Sequence, residues 1–357
     1  MVKLDDIRQA RARIAGRVHR TGLDLSSSFS GPAGGMVYLK PENLQKTGSF
    51  KIRGAANYIL QLDRETGRRG VIAASSGNHG QAVACAAGWM GYPSTVVLPE
   101  AASPVKVEAA RAYGAEVIRH GSTSVERLEL ARRLAEGRRM TFIHAFDDPR
   151  VIAGQGTVGL EILEDLPDVD QVVVPVGGGG LIAGVALAVK SMQPRAQVIG
   201  VEPERANALQ LSLEAGAITG IDRPTSIADG LLPSRPGDLP FTLAQAHVDG
   251  VIAVTDEELR RAVLALLERA RLVVEPSGAA GLAAILAGKI RGCGRRTVVV
   301  LSGGNLSLDF LSRLLAERAG EQPSMGGKPA PAPGHTSSRH RFSEEVGSHD
   351  PGPVYGG

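Results

Sequence analysis

Three short segments of the sequence carry residues whose types and spacing could hold a small phosphorylated carbonyl compound. The first is QVVVPVGGGGLIAGVALAVK, an apolar strand that runs through Gly177, Gly178, Gly179 and Gly180 into an apolar helix. Glycines let the backbone approach a ligand closely, and a helix N-terminus offers unpaired N–H groups at the positive end of its dipole, so this loop suits a phosphate. A tight turn needs one or two glycines rather than four in succession. Gly178, Gly180 and Ala183 also fit G-x-G-x-x-A, with Glu202 closing the next strand about 20 residues on, where a dinucleotide site keeps its ribose-binding acid. A nicotinamide-binding (NAD) oxidoreductase is therefore the alternative reading of this loop.

The second segment is ENLQKTGSFKIRGAANYIL, in which Lys51 stands where a loop passes into a helix. An isolated lysine is by default a solvated charge. Here Phe50, Ile52 and the small run Gly54, Ala55, Ala56 surround it, and desolvation in such a neighbourhood lowers an amine toward the neutral form that imine chemistry requires. The third segment is ASSGNHGQAVA, where Ser75, Ser76, Asn78 and His79 end a strand and open a helix. Hydroxyl, amide and backbone donors at a helix N-terminus could grip a carboxylate, whereas capping alone would use one serine. His79 is the ambiguous member, since such a histidine is more often packed or solvated than a base.

The elements that must position these loops follow an alternating pattern. Val- and Ile-rich runs at 36–40, 70–75, 94–99, 115–120, 141–146, 171–176, 196–202, 250–254 and 297–302 predict strands, and stretches with helical spacing such as DEELRRAVLALLERARL lie between them. The fold class this predicts is α/β with a mainly parallel sheet. A chain of 357 residues, 43% hydrophobic, is long enough for two domains and a full core. From about residue 320 the composition turns to Pro, Gly, Ser and His, which predicts a disordered tail; His335, His340 and His349 have no metal-binding spacing. The formal charge of +3 comes with scattered arginines and no basic block, so no nucleic-acid partner is expected. The longest apolar run is broken by a proline and four glycines, and the N-terminal MVKLDDIRQARARIAG lacks a signal core, so no membrane is expected and the location is expected to be cytoplasmic. Cys85 and Cys293 are too few for a disulfide framework and have no metal-ligand spacing.

In order along the chain, KPENLQKTGSFKIRGA, SSGNHGQA, HAFDDPRVIAGQGT, VPVGGGGLIAG, IADG, EPSGAAG and VLSGGN resemble the fold type II pyridoxal-phosphate enzymes, in the branch of threonine and serine ammonia-lyases (dehydratases) and serine racemases. The resemblance covers residues 5–318. It implies a two-domain, tryptophan synthase β-like fold of parallel-rich twisted sheets flanked by helices. A large cofactor-binding domain would comprise residues 1–62 and 149–320, with a small substrate-side domain inserted at 70–148 and the tail at 321–357.

By the same resemblance Lys51 would hold pyridoxal phosphate as a Schiff base, with Phe50 beside its ring and Asn78 on its phenolic oxygen. Gly177, Gly178, Gly179 and Gly180 would cradle the phosphate, and Ser302 would face the pyridine nitrogen. Ser75, Ser76, Asn78 and His79 would grip the substrate carboxylate. The activity implied is β-elimination of water from a hydroxy amino acid, giving an α-keto acid and ammonia. A neutral hydroxyl at the pyridine nitrogen makes a weaker electron sink than an acid would, which favours loss of a β-leaving group. Ser76 also matches the serine that racemases use on the second substrate face, so serine racemase is the alternative, while Phe146 and the acidic pair of HAFDDP look more like the dehydratases. Some relatives bind a divalent cation through an acid in a glutamate-proline turn and another six residues later; Glu202 is present but Ala208 fills the later place, so no metal is expected. The family suggests a homodimer, and nothing here matches the appended regulatory domain of the longer dehydratases.

Overall fold

A computed structural model describes residues 1–321, apart from residue 103 and residues 291–294. The predicted tail with its three histidines, and Cys293, lie outside the described residues. Among the described residues, ten strands form two sheets. Those of the larger sheet are β1 (Asp24–Leu25), β2 (Met36–Lys40), β7 (Gln171–Pro175), β8 (Gln197–Pro203), β9 (Gly250–Val254) and β10 (Arg296–Val300), and those of the smaller are β3 (Val71–Ala74), β4 (Ser94–Leu98), β5 (Glu116–Arg119) and β6 (Thr141–Phe142). The orders are β1-β2-β10-β7-β8-β9 and β5-β4-β3-β6. Every pairing is parallel except β1 with β2.

The valine runs explain the centre of the larger sheet. Val298 on β10 is in register with Val172 on β7, which is in register with Val198 on β8. A strand covered on both faces must be apolar at successive positions rather than alternating ones, and β7 and β10 are. Val172, Val174, Val298 and Val300 pack with Ile182 and Val185 of the following helix in one core cluster. That helix, Gly180–Met192, lies so close to helix Pro149–Asp165 that a Cβ at Gly184 would come within 2.6 Å of the Gly156 nitrogen. Residues 1–312 form one compact unit containing both sheets. Helix Leu308–Glu321 ends the described chain, and no helix among the described residues is long and apolar enough to cross a membrane.

Two differences from the sequence pattern have local causes. The run predicted as a strand over 141–146 pairs only at Thr141 and Phe142. The chain then turns, because the ring of His144 accepts hydrogen bonds at Nδ1 from the backbone N–H of Phe146 (3.3 Å) and Asp147 (2.8 Å). The antiparallel β1 has only two residues, too few to show a period.

Candidate active site

In parallel sheets ligands collect beyond the carboxyl ends of the strands. Here the segments after β3, β6, β7 and β10 and the start of helix Lys51–Ile59 enclose one cavity of about 490 Å³, onto which Phe50, Lys51, Ser302, the Ser75–Ser76 and Asn78–His79 pairs and all four glycines open.

Lys51 is the first residue of its helix, and its Nζ donates to the carbonyl of Ala145 at 2.9 Å. The amine also lies 5.1 Å from the centroid of the Phe50 ring. Burial within these apolar walls pushes it down to about 8, and the exposure the residue keeps is toward the cavity it lines. Two structures fix its place. The backbone N–H of Phe50 donates to the carbonyl of Ser302 at 3.1 Å, tying the lysine segment to the end of β10. Two residues beyond Lys51, Arg53 is buried and donates to Glu42 (2.8 and 2.7 Å) and Glu161 (2.7 and 2.9 Å), while buried Lys40 donates to Glu161 at 2.6 Å. A single buried charge is costly, so two cations and two anions appear together and pin this helix to β2 and to helix Pro149–Asp165.

The glycine run is a cradle that side chains would fill. A Cβ at Gly178 would lie 2.4 Å from the ring of Phe146, and one at Gly180 would come within 2.9 Å of the Phe146 backbone. Gly179 has φ +90°, a left-handed conformation open to glycine, and caps helix Gly180–Met192, whose N-terminus lines the cavity. Lys51 and this cradle share one cavity, so the residues present fit pyridoxal phosphate. The competing dinucleotide reading fails at its acid: both oxygens of Glu202 are taken, by the N–H of Leu209 (3.0 Å) and of Gln210 (2.9 Å) at the start of the next helix. Burial pushes that carboxyl up to about 8 against those bonds.

Elsewhere on the cavity wall, Asn78 is held at both ends of its amide. Its Nδ2 donates to Glu275 Oε1 at 2.6 Å, and its Oδ1 accepts from Asn305, which also donates to the carbonyl of Thr47. Burial, with Asp229 acting in the same direction, pushes Glu275 up to about 7. Ser75 Oγ accepts from the N–H of Gly77 and of Gly80, both at 2.9 Å, so it shapes the turn while its hydroxyl hydrogen stays available. His79 is buried, with Nε2 against the carbonyl of Ile143 at 3.0 Å and its other nitrogen unpartnered among the described residues. Burial, reinforced by Lys51, drives it down to about 3, so it is neutral. Ser76 lines the cavity beside them.

Further groups on the cavity wall were not singled out by sequence. Glu275 hides in EPSGAAG as an acid before a proline, which reads as an ordinary helix cap. Lys106 and Asp229 form an ion pair between two separate segments of the wall. His144 looks like part of a strand. Arg127 lies on helix Ser124–Arg138 among six other arginines and glutamates, yet is only 8% exposed and has an Nη1 without a partner among the described residues. None of these has a spacing that marks it, because the elements that bring them together are distant in the chain.

Fold and cavity together define an α/β enzyme built around a desolvated amine and a glycine-lined helix N-terminus. Comparison with known proteins identifies the family: residues 14–303 match the pyridoxal-phosphate dependent enzymes, and the chain belongs to that family. It is 49% identical over 315 residues to an L-threonine ammonia-lyase of Thermotoga maritima, covering 88% of this chain and 78% of that one. Among solved structures, maize serine racemase superposes with a TM-score of 0.84 at 38% identity, covering 89% of this chain and 98% of that one. A T.th. threonine deaminase does so with a TM-score of 0.81 at 44% identity, covering 86% of this chain and 99% of that one.

Proposed function

We propose that this pyridoxal-phosphate enzyme is a threonine/serine ammonia-lyase, converting L-threonine to 2-oxobutanoate and ammonia, or L-serine to pyruvate and ammonia. The observation that carries the reading is the desolvated amine of Lys51 opening onto the same cavity as the Gly177–Gly180 cradle and the Ser75–His79 loop. The similarity to an L-threonine ammonia-lyase and a threonine deaminase supports it.

Bound pyridoxal phosphate supplies an electron sink for the charge left at the substrate Cα. The glycine run would hold the phosphate, Asn78 and Ser302 the ring, and Phe50 would pack beside it. Lys51 Nζ, neutral for an appreciable fraction of the time, would take the Cα proton. Ser75, Ser76, Asn78 and His79 would bind the carboxylate and so fix which bond at Cα faces the lysine. Ser76 is the residue we assign to any racemisation, the activity named for the maize neighbour. Arg127 favours a second reading, a substrate with an additional carboxylate such as 3-hydroxyaspartate, because a nearly buried guanidinium with an unmatched N–H lines the cavity.

We place the enzyme in the cytoplasm as a homodimer acting on a small amino acid, with no nucleic-acid partner. The division into a 70–148 domain and a larger one would let the cavity close on substrate. Leu44 and Val273, 56% and 47% exposed and held near each other by the bond from Asn43 Nδ2 to the Val273 carbonyl, are candidates for the dimer contact. Light scattering checks the dimer. A panel of L-threonine, L-serine, D-serine and 3-hydroxyaspartate, with keto acid, ammonia and serine chirality all quantified, checks the activity. Accumulation of D-serine with little keto acid, or turnover that survives Lys51→Ala, would overturn it.

A further inference from the structure

We propose that His144, held as its Nε2–H tautomer, is the hydrogen-bond donor that recognises the β-oxygen of the substrate and so selects hydroxy amino acids; the inference rests on the proposed activity. Its first support is geometric. Nδ1 faces the N–H groups of Phe146 and Asp147 at 3.3 and 2.8 Å, and backbone N–H groups can only donate, so Nδ1 must be the acceptor and the hydrogen must sit on Nε2. The ring cannot readily swing away: Phe146 meets it edge-on at 4.6 Å between centroids, and Phe142 lies at 6.0 Å, also edge-on.

The second support is position. His144 lines the cavity, and no acceptor for its Nε2–H is found among the described residues. The next residue, Ala145, supplies the carbonyl that holds Lys51 Nζ. A group that takes the Cα proton and a group that reads an atom two bonds from Cα must lie close together, and His144 is next in the chain to the residue that anchors the amine. The charged groups acting on the ring are Asp147, Arg132, Lys51 and Asp148. Burial outweighs them and pushes the imidazole down to about 4, so it stays neutral while the enzyme works. A neutral imidazole N–H is too weak an acid to surrender its proton. His144 therefore orients the β-oxygen, and no proton passes from its ring to the leaving group.

The substitutions that separate its two nitrogens are His144→Asn, whose side-chain oxygen can still accept the two backbone N–H groups but which lacks the far donor, and His144→Gln, whose amide can reach the far position. In His144→Asn, kcat/KM for L-serine should fall about 10- to 100-fold. That for β-chloro-L-alanine, which has chlorine in place of the β-oxygen, should fall less than about threefold. His144→Gln should recover most of the loss on serine. In ¹⁵N-histidine spectra the wild-type residue should show a hydrogen on Nε2 only, unchanged from about pH 5.5 to 9. Equal losses on both substrates, no loss on serine, or a hydrogen on Nδ1 would overturn the assignment. If the wild-type protein failed to turn over any hydroxy amino acid, the proposed activity would fall instead; normal wild-type turnover with an unaffected His144→Asn would sink this inference alone.

Discussion

The amine of Lys51 gives the sharpest test of how this cavity works, because one physical cause sets its behaviour in two independent experiments. An ordinary lysine at 10.5 is neutral in about one molecule in a thousand at pH 7.5, whereas a lysine pushed down to about 8 by burial is neutral in about one in four. Covalent capture of added pyridoxal phosphate by the apoprotein needs the neutral amine. Its rate, followed by visible absorbance between about pH 6 and 10, should therefore rise with a midpoint near 8. Borohydride reduction and peptide mapping should place the label on Lys51. The same displacement has a consequence for stability. Between 8 and 10.5 the unfolded chain still holds a proton that the folded one has lost, so this group makes apoprotein stability rise with pH across that window. Below 8 the desolvation penalty is fully present, and Lys51→Met, which keeps the stem and removes the charge, should stabilise the apoprotein by at most about 3 kcal/mol. A capture midpoint near 10.5, a label on Lys46 or Lys106, or a destabilised Lys51→Met would each show that the amine is not desolvated as described.

Two other substitutions test the supports of the site. In Gly178→Ala the new Cβ would sit 2.4 Å from three atoms of the Phe146 ring, well inside van der Waals contact. Overpacking of that kind costs about 1–3 kcal/mol of folding stability with or without the cofactor, so urea unfolding should report that loss, with partial relief when Phe146→Ala is combined with it. Arg53→Met leaves Glu42 and Glu161 short of a cation in a buried place, so thermal or urea unfolding should report a loss of about 3–5 kcal/mol. An Arg53→Met protein of normal stability would mean that the four-charge cluster does not hold the lysine helix.

The strands were legible because buried parallel strands announce themselves as unbroken apolar runs; β7, with all five residues buried, is the plainest case. The loops that open onto the cavity were legible for a related reason: four adjacent glycines and a lysine among small apolar residues are both hard to explain as ordinary surface. What was not legible depends on contacts between distant segments. The end of β6 is decided by a histidine ring bonding to backbone two and three residues ahead, which an alternation of apolar residues cannot express. Glu275 becomes part of the site only because Asn78, 197 residues earlier, donates to it. Arg53 reads as one more helical arginine until its partners Glu42 and Glu161 are seen from two other elements.

Five titrating groups on the wall of this cavity, Arg127 among them, are displaced toward their neutral forms, and burial is the leading cause each time. Lys51 is lowered to about 8, His79 to about 3 and His144 to about 4, while Glu275 is raised to about 7. A cavity in which each of these groups carried its charge would repel an ionic substrate group or trap it in a single pair. One in which those charges are weakened leaves the anionic carboxylate and phosphate more to N–H and hydroxyl dipoles, which are fixed by the fold and need not reorganise as charge develops at Cα. The Asn305–Asn78–Glu275 chain fits that principle. Asn305 fixes the amide oxygen and Glu275 fixes one amide hydrogen, so the second hydrogen of Asn78 Nδ2 can point in only one direction. Specificity in such a site resides in where each donor is aimed, and a histidine whose tautomer is set by its own backbone is a donor of that kind.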